Sequence, residues 1–236
     1  MPRTIRRPLI VVVLDLCSSS QIMEDLLLSE KFDRYEAFLT CIKRWLMNWT
    51  EAHAPPKGRF ELYKFTGDGW ILLFPDTIRG EHLVAFLHNL CEMVKAELAR
   101  HIVPNLSTMP AVLGATLGVE AGHLVRMTMN EREEYVGRAL NVARRLQDAA
   151  KDKEAAHPDC YKVLVSARFY NERLAKASTR YKVDETTCSL RNILGGRGFA
   201  CRKIDFTANA AGQPLPWPTH ETPGWTCARS NWESPP

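Results

Sequence analysis

The sequence lacks several features that would point to a common class of protein. Its 236 residues contain no internal repeat, no apolar run of the roughly 20 residues that a membrane helix needs, and no pair of histidines at metal-binding spacing. The formal net charge is only +4, which is small for a dedicated nucleic-acid binder. We therefore expect neither a membrane nor a nucleic acid as partner.

The seven cysteines are not arranged as a disulfide framework or a zinc site. Their number is odd, their spacing is wide, and no Cys-x-x-Cys pair occurs. Reduced thiols in the cytoplasm are the simplest interpretation. Arginines near the N-terminus precede an apolar run, but Asp15 ends that run too early for a signal peptide, so we expect a cytoplasmic protein.

What is present is ordinary for a globular protein: 45% of the residues are hydrophobic and 25% are charged. The length suits one large domain. We assign residues 1–211 to that domain. From residue 212 to residue 236, prolines alternate with tryptophans, and we interpret this segment as an extended tail.

Hydrophobic periodicity predicts strands and helices in a mixed order. The predicted helices are 21–49, with a possible break near Ser29, then 80–103 and 135–149. The predicted strands are 9–14, 60–65, 70–74, 111–119 and 161–165, with a further pair near 180–183 and 199–206. This order favours an α+β fold of the ferredoxin-like or palm type, with a mixed, mainly antiparallel sheet flanked by helices.

Two carboxylates stand at informative places in this pattern. Asp15 follows a buried strand, and Asp68 lies in a Thr-Gly-Asp-Gly turn between two strands. If they converge at one sheet edge, their hard oxygen ligands suit Mg²⁺ or Mn²⁺ carrying a polyphosphate. Alternatively, each is merely a strand-end or turn residue. Ser19 and Ser20 precede a predicted helix, where hydroxyls and amides could hold phosphate or simply cap the helix.

Four motifs together resemble the catalytic domain of class III nucleotide cyclases over residues 8–206. They are Val-Leu-Asp-Leu-Cys-Ser from residue 13, Lys-Phe-Thr-Gly-Asp from 64, Gly-Ala-Thr-Leu-Gly from 114, and Gly-x-x-x-Asn-x-x-x-Arg from 137. The resemblance implies the class III cyclase fold. It also implies a head-to-tail homodimer with active sites at the interface, each built from metal carboxylates of one subunit and an Asn/Arg helix of the other.

The resemblance further implies a role for each matching residue. Asp15, Asp68 and the Leu16 carbonyl would hold two Mg²⁺ or Mn²⁺ ions, while Asn141 would orient the ribose and Arg145 would stabilise charge at the α-phosphate. A nucleoside triphosphate would then yield a 3′,5′-cyclic nucleotide and pyrophosphate. An exposed polar helix face is the alternative interpretation of Asn141 and Arg145.

The chain departs from the family in two places. The position of the triphosphate-binding lysine falls on Gly195; Arg197 or Arg191 could substitute for it, because a guanidinium grips phosphate with two donors. A tight glycine-rich turn is the alternative for this segment. The dimerisation arm, which the resemblance places between Val119 and Gly137, is short.

Lys64 and Glu134 match the pair that reads adenine in adenylyl cyclases, which favours ATP, although they could be a surface charge pair. The run from Tyr63 to Trp70, the short arm and the absence of a sensor domain from this sequence resemble the stand-alone pyrimidine cyclases of bacterial Pycsar antiphage systems. Those enzymes make cyclic UMP or cyclic CMP for a separate effector. We expect UTP as substrate, with ATP and CTP as alternatives.

Two other classes of protein remain possible from the sequence. A cyclase-like module could bind a nucleotide or protein without catalysis, but such modules lose a metal aspartate or the helix arginine, and this chain retains all three. Diguanylate cyclases and polymerase palms also use paired carboxylates at a hairpin. The turn from Thr66 to Trp70 lacks the second acidic residue that they require.

Overall fold

A computed structural model describes residues 5–52, 59–150, 159–193 and 198–216. The strands are β1 (Ile5–Leu16), β2 (Glu61–Phe65), β3 (Gly69–Pro75), β4 (Leu113–Met129), β5 (Arg132–Val136), β6 (Asp159–Ser166), β7 (Tyr181–Ser189) and β8 (Gly198–Asn209). The α-helices are α1 (Ser19–Leu28), α2 (Phe32–Ala52), α3 (Gly80–Glu97), α4 (Arg138–Ala150) and α5 (Ala167–Phe169).

The eight strands form one sheet in the order β2-β3-β1-β4-β6-β8-β7, with β5 paired to β4 outside this path. The pairing of β4 with β6 is parallel, and every other strand pairing among the described residues is antiparallel. A mixed, mainly antiparallel sheet flanked by helices confirms the predicted fold class.

The central strand β1 is apolar because helices cover both of its faces. Ile10, Val12 and Leu14 belong to the large core cluster shared with α1, α2 and α3. Val11 and Val13 point to the opposite face and pack against α4. A strand buried on two sides reads as a continuous apolar run, as this segment does.

The predicted break near Ser29 is confirmed. The first helix ends at Leu28, the backbone of Glu30 takes a positive φ of 57°, and α2 begins at Phe32. Helix α2 then buries one stripe of side chains against the sheet: Tyr35, Phe38, Ile42 and Leu46.

The prediction of a helix from residue 135 is wrong at its start. Tyr135 belongs to β5, which forms a hairpin with the far end of β4, and α4 begins only at Arg138. Gly137 separates the two elements, and a Cβ there would lie 2.7 Å from the backbone oxygen of His123. The same hairpin carries β4 ten residues beyond the predicted strand, to Met129.

The predicted helix 80–103 changes its winding before it ends. After Glu97 the chain makes a π-helical turn over Leu98–Ile102 and a short 3₁₀ turn over Val103–Asn105. Pro104 cannot donate a backbone hydrogen bond, and the Asn105 side chain donates to the His101 carbonyl at 2.9 Å. No helix among the described residues has both the length and the apolarity for a membrane crossing.

The first residues of the predicted tail pack against the domain. Leu215 donates a backbone hydrogen bond to the Thr207 carbonyl at 2.8 Å and contacts the core. Residues 217–236, which carry the rest of the tail, lie outside the described residues. None of the six described cysteines forms a disulfide.

Helix α4 lies unusually close to β4 because of Gly118. A Cβ on Gly118 would sit 2.0 Å from the Ala143 carbonyl oxygen and 2.4 Å from the Gln147 nitrogen, both of which belong to the backbone of α4. Backbone atoms cannot move aside as a side chain can. The glycine therefore sets the distance between helix and sheet.

We predict that Gly118→Ala destabilises the fold by about 1–3 kcal/mol or more, as overpacking of a tight core does. Gly122→Ala, in the same strand, is the matched control, since its Cβ would meet only the Ala139 side chain at 3.1 Å. Urea unfolding curves of both variants test this. Equal losses of stability would show that the approach of α4 is not what requires Gly118.

Candidate active site

Two carboxylates meet at one end of the central strand. Asp15, the penultimate residue of β1, is only 5% exposed and pairs with Gly69, the first residue of β3. Asp68 precedes Gly69 in the turn, and its carbonyl accepts a hydrogen bond from the Leu16 N–H at 3.3 Å. The structure thus places Asp15, Asp68 and Leu16 side by side. Their role as metal ligands stays a prediction.

Glycines allow this arrangement. Gly67 takes a positive φ of 101° in the turn, a conformation that glycine adopts at little cost. At Gly69 a Cβ would lie 2.1 Å from the Leu14 carbonyl oxygen, so a larger residue would push β3 away from β1. The two glycines of the turn therefore allow Asp68 to lie beside Asp15.

The hydroxyls of Ser18 and Ser19 bind the segments beside β1, and the N-cap residue Ser18 makes no side-chain capping hydrogen bond to α1. Ser18 precedes α1 in a left-handed conformation, and its hydroxyl donates to the Val112 carbonyl at 2.7 Å. Ser19 is buried and donates from Oγ to the Asp68 carboxylate at 2.5 Å, whereas Ser20 is exposed. In this structure Ser19 therefore orients Asp68, and phosphate binding by Ser19 and Ser20 stays a prediction.

Tyr35 is a site residue that the sequence pattern did not reveal. Its side chain is 2% exposed, and its hydroxyl has no hydrogen-bond partner among the described residues. Burial raises the pKa of Tyr35 to about 12, and the negative charges of Asp68 and Asp15 add to the rise. The phenol is therefore a neutral O–H group in the field of both carboxylates.

Asn141 and Arg145 lie on the outer face of α4. Asn141 follows the buried Ala139 by two residues, and Arg145 follows the buried Ala143 by two residues. A step of two residues turns a helix by about 200°, so both side chains point away from the face that carries the alanines. Asn141 is exposed, and Arg145 forms a half-exposed ion pair with Asp148 at 3.5 Å. An exposed pair of this kind is weak, so Arg145 can exchange Asp148 for another anion.

The inner face of α4 is tied to the strand beside Asp15. Gln147, fully buried, donates from Nε2 to Thr116 Oγ1 at 2.9 Å, and Thr116 is the β4 residue paired with Asp15. The helix thus turns Gln147 toward the carboxylate end of its own sheet and turns Asn141 and Arg145 outward. The structure records no contact between the outward pair and Asp15 or Asp68 among the described residues.

The structure also brings together Lys64 and Glu134, which come from β2 and β5. Lys64 Nζ lies 3.4 Å from Glu134 Oε1, and the Tyr63 hydroxyl donates to Glu134 Oε2. The hydrogen bond from Tyr63, followed by the charge of Lys64, lowers the pKa of Glu134. Tyr63 also accepts from the Tyr135 N–H at 3.0 Å, so it fixes the position of Glu134. Sequence reasoning assigned it no such role.

The remaining phosphate-contact prediction is not covered by the structure. Arg197 lies outside the described residues, while the alternative Arg191 is described and exposed.

The site fits a divalent cation. Asp15 is buried and Asp68 is half-buried beside it. Burial raises the pKa of the neighbouring Tyr35, and the negative charges of the two carboxylates add to that rise. Two hard carboxylate oxygens in one place are the donors that Mg²⁺ and Mn²⁺ prefer. No soft ligand is required.

Comparison with solved structures identifies the fold. The chain is similar to the guanylyl cyclase Cya2 (TM-score 0.60, 16% identity, covering 91% of this chain and 96% of that one). It is also similar to adenylate cyclases from Trypanosoma brucei in their monomeric state (TM-score 0.55, 13% identity, 89% and 95% covered). No protein-family profile and no curated protein matches the sequence.

A bacterial light-regulated adenylyl cyclase is similar as well, with a TM-score of 0.60 and 15% identity over 91% of this chain. The chain spans about half of that protein, since the match covers 55% of it. The chain therefore has the fold of class III nucleotide cyclase catalytic domains. At these identities the likeness establishes the fold, and the chemistry must be argued from the site.

We predict that Tyr35→Phe leaves the stability of the protein unchanged or slightly raised, because it removes a buried hydroxyl that has no hydrogen-bond partner in the described part of the chain. The matched control is Tyr135→Phe, which removes a hydrogen bond of 2.9 Å to Glu61 and should cost about 1 kcal/mol. Thermal unfolding in metal-free buffer compares the two. If Tyr35→Phe destabilises the protein as much as Tyr135→Phe does, the Tyr35 hydroxyl has a stabilising hydrogen bond and the prediction is wrong.

Proposed function

We propose that this protein is a metal-dependent nucleotide cyclase that acts as a homodimer. One observation carries the proposal: Asp15 and Asp68 meet at a strand end, while Asn141 and Arg145 point outward from a helix of the same chain. A group that faces solvent can complete a site only with a second molecule. A head-to-tail pair of chains would place the outward pair of one against the carboxylates of the other.

In this proposal Asp15, Asp68 and the Leu16 carbonyl hold two Mg²⁺ or Mn²⁺ ions. When bound, the ions would neutralise the triphosphate and lower the pKa of the ribose 3′-hydroxyl. Ser19 keeps the Asp68 carboxylate oriented through its hydrogen bond. Asn141 orients the ribose, and Arg145, released from Asp148, stabilises the charge that develops at the α-phosphate.

The reaction balances without an added reactant. The 3′-oxygen attacks the α-phosphorus in line, the bond to the β-phosphate oxygen breaks, and pyrophosphate leaves as the 3′-hydroxyl proton is lost. The product is a 3′,5′-cyclic nucleotide. Arg197 is proposed to contact the departing phosphates. The N-terminal end of α1, which includes Ser20, is proposed to bind the same phosphates through its backbone N–H groups.

For the base, we propose uridine, so that UTP gives cyclic UMP. Lys64 offers a donor and Glu134 an acceptor, and uracil presents the complementary O4 acceptor and N3–H donor. This choice is supported by the resemblance of the run from Tyr63 to Trp70 to the Pycsar cyclases. Under that reading the enzyme is cytoplasmic and its product is sensed by a separate effector in antiphage defence.

Adenylyl cyclase activity is the second candidate. Lys64 and Glu134 are in contact at 3.4 Å, and adenine also presents an acceptor and a donor side by side, at N1 and N6. Cytosine presents the same pair of groups. Base identity thus depends on which group each side chain faces in the complex with nucleotide.

We predict that Asp15→Ala and Asp68→Ala each lower cyclase activity by about 100-fold or more while the protein stays folded, because the site loses a cation ligand. Arg145→Ala should lower cyclase activity by a similar factor. Arg144→Ala, a neighbouring exposed arginine on α4, is the control and should retain activity. Cyclic nucleotide formation with Mn²⁺, followed by mass spectrometry, measures each variant.

Mixing inactive Asp68→Ala with inactive Arg145→Ala should restore about a quarter of wild-type activity. Half of the dimers would be mixed, and each mixed dimer would contain one intact site and one doubly altered site. Absence of recovery, with subunit exchange demonstrated by labelled chains, would place both groups in one chain's site.

We predict that UTP outcompetes ATP, CTP and GTP when all four are supplied at equal concentration. A site that hydrogen-bonds one base edge rejects a mismatched edge by up to about 10⁴-fold, because buried polar groups lose their partners. The readout is the ratio of cyclic products by mass. ATP as the preferred substrate would establish the adenylyl alternative, and CTP would leave the cyclase proposal intact while ending the uridine assignment.

A further inference from the structure

A second cluster of possible metal ligands lies outside the proposed cyclase site. It consists of Cys41 on α2, Glu97 at the end of α3 and His101 in the π-helical turn that follows. One ligand atom from each residue lies within 4.8 Å of the other two. Glu97 and His101 are neighbours through their four-residue spacing. Cys41 lies 56 residues before Glu97 in the chain, so the fold brings its thiol to that pair.

The spacing of the ligand atoms is close to that of a zinc site. With Zn–S of about 2.3 Å and Zn–N and Zn–O of about 2.1 Å, tetrahedral angles place sulfur and nitrogen about 3.6 Å apart and nitrogen and oxygen about 3.4 Å apart. Cys41 Sγ lies 3.9 Å from His101 Nε2, and Glu97 Oε2 lies 3.1 Å from the same nitrogen. Shifts of a few tenths of an ångström would give both distances.

Glu97 supplies a second reason to infer a ligand. The residue is only 8% exposed, and its Oε2 atom lies 3.1 Å from His101 Nε2 without meeting hydrogen-bond geometry there or with any other described residue. A buried carboxylate oxygen left without such a bond is costly. A cation between Glu97 and His101 would remove that cost, because the oxygen would gain a direct ligand bond.

The backbone holds the cluster in place. Leu98 and Ile102, on either side of the turn, are buried in the main core, and the His101 carbonyl accepts a hydrogen bond from Asn105. A single π-helical turn of this kind is often found at functional sites. His101 is thereby fixed against α2, where Cys41 lies.

The charges also suit a divalent ion. A thiolate at Cys41 and a carboxylate at Glu97 together balance Zn²⁺.

We propose that Cys41, Glu97 and His101 form a Zn²⁺ site that joins α2 to the end of α3. Thiolate, imidazole and carboxylate in one cluster select zinc over Mg²⁺ or Mn²⁺. Cys41 and His101 are partly exposed, so an ion can enter from solvent and a water molecule can complete the tetrahedron. The site stabilises the helical layer and takes no part in cyclisation.

The test uses Co²⁺ and Zn²⁺ on the purified, metal-stripped full chain. One equivalent of Co²⁺ should produce a thiolate-to-cobalt charge-transfer band that Zn²⁺ abolishes. Cys41→Ser should lose the band. Glu97→Gln and His101→Gln should each weaken Zn²⁺ binding by about 100-fold or more. That loss exceeds the roughly 10- to 100-fold loss expected when a residue that only hydrogen-bonds to a metal ligand is removed. Zn²⁺ should raise the thermal midpoint of the wild type but not of Cys41→Ser.

His88→Gln is the matched control. His88 lies 3.6 Å from Glu92 with the same four-residue spacing as His101 and Glu97. The His88→Gln substitution should leave the cobalt band and the Zn²⁺ affinity unchanged. The same spectra are recorded for Asp68→Ala, which disrupts the cyclase carboxylate site next to Cys17. The band should persist there if the cobalt ion is bound by Cys41 and not at the carboxylates. Cobalt binding without a thiolate band, or a band that survives Cys41→Ser in a protein shown to be folded by circular dichroism, would overturn the proposal.

Discussion

The register of β1 is the constraint on which the rest of the site depends. Asp15 is paired with Gly69 on one side and with Thr116 on the other. A slip of one residue would turn Asp15 to the opposite face of the sheet. The first pairing carries Asp68 and Ser19 into place, and the second anchors α4 through Gln147. Because β1 is buried on both faces, the large hydrophobic core on each side enforces this register.

Much of this could be predicted from the sequence because the relevant signals are local. The apolar run before Asp15 indicates a doubly covered strand, and the Asp-Gly turn at Asp68 indicates a hairpin. Two such elements in order raised the prospect that the carboxylates share one edge of the sheet, and the structure shows that they do. The mixed order of strands and helices likewise predicted the fold class, which the structure and its similarity to cyclases confirm.

The features that the sequence did not predict depend on contacts between segments that are distant in the chain. Tyr135 looks like the start of a helix because apolar spacing runs on across Gly137, yet its N–H bonds to Tyr63, 72 residues away. Tyr35 counts as one apolar position in a stripe, and only its packed position shows a hydroxyl near two carboxylates. The cluster of Cys41, Glu97 and His101 left one trace in the sequence, the four-residue spacing of Glu97 and His101, which is too common to signal a metal.

The place of β1 in the sheet has a consequence for synthesis of the chain. Its two neighbours are made late: the pairing residues of β3 begin at Gly69 and those of β4 end at Arg126. At ribosomal speeds of about 5–20 residues per second, the completed strand waits roughly 5–20 seconds for its second partner. During that time the uncharged, largely β-branched run from Leu9 to Leu14 keeps an open edge and can add to other chains. The yield of folded protein should therefore depend on how quickly translation reaches residue 126, or on whether a chaperone covers the segment until then.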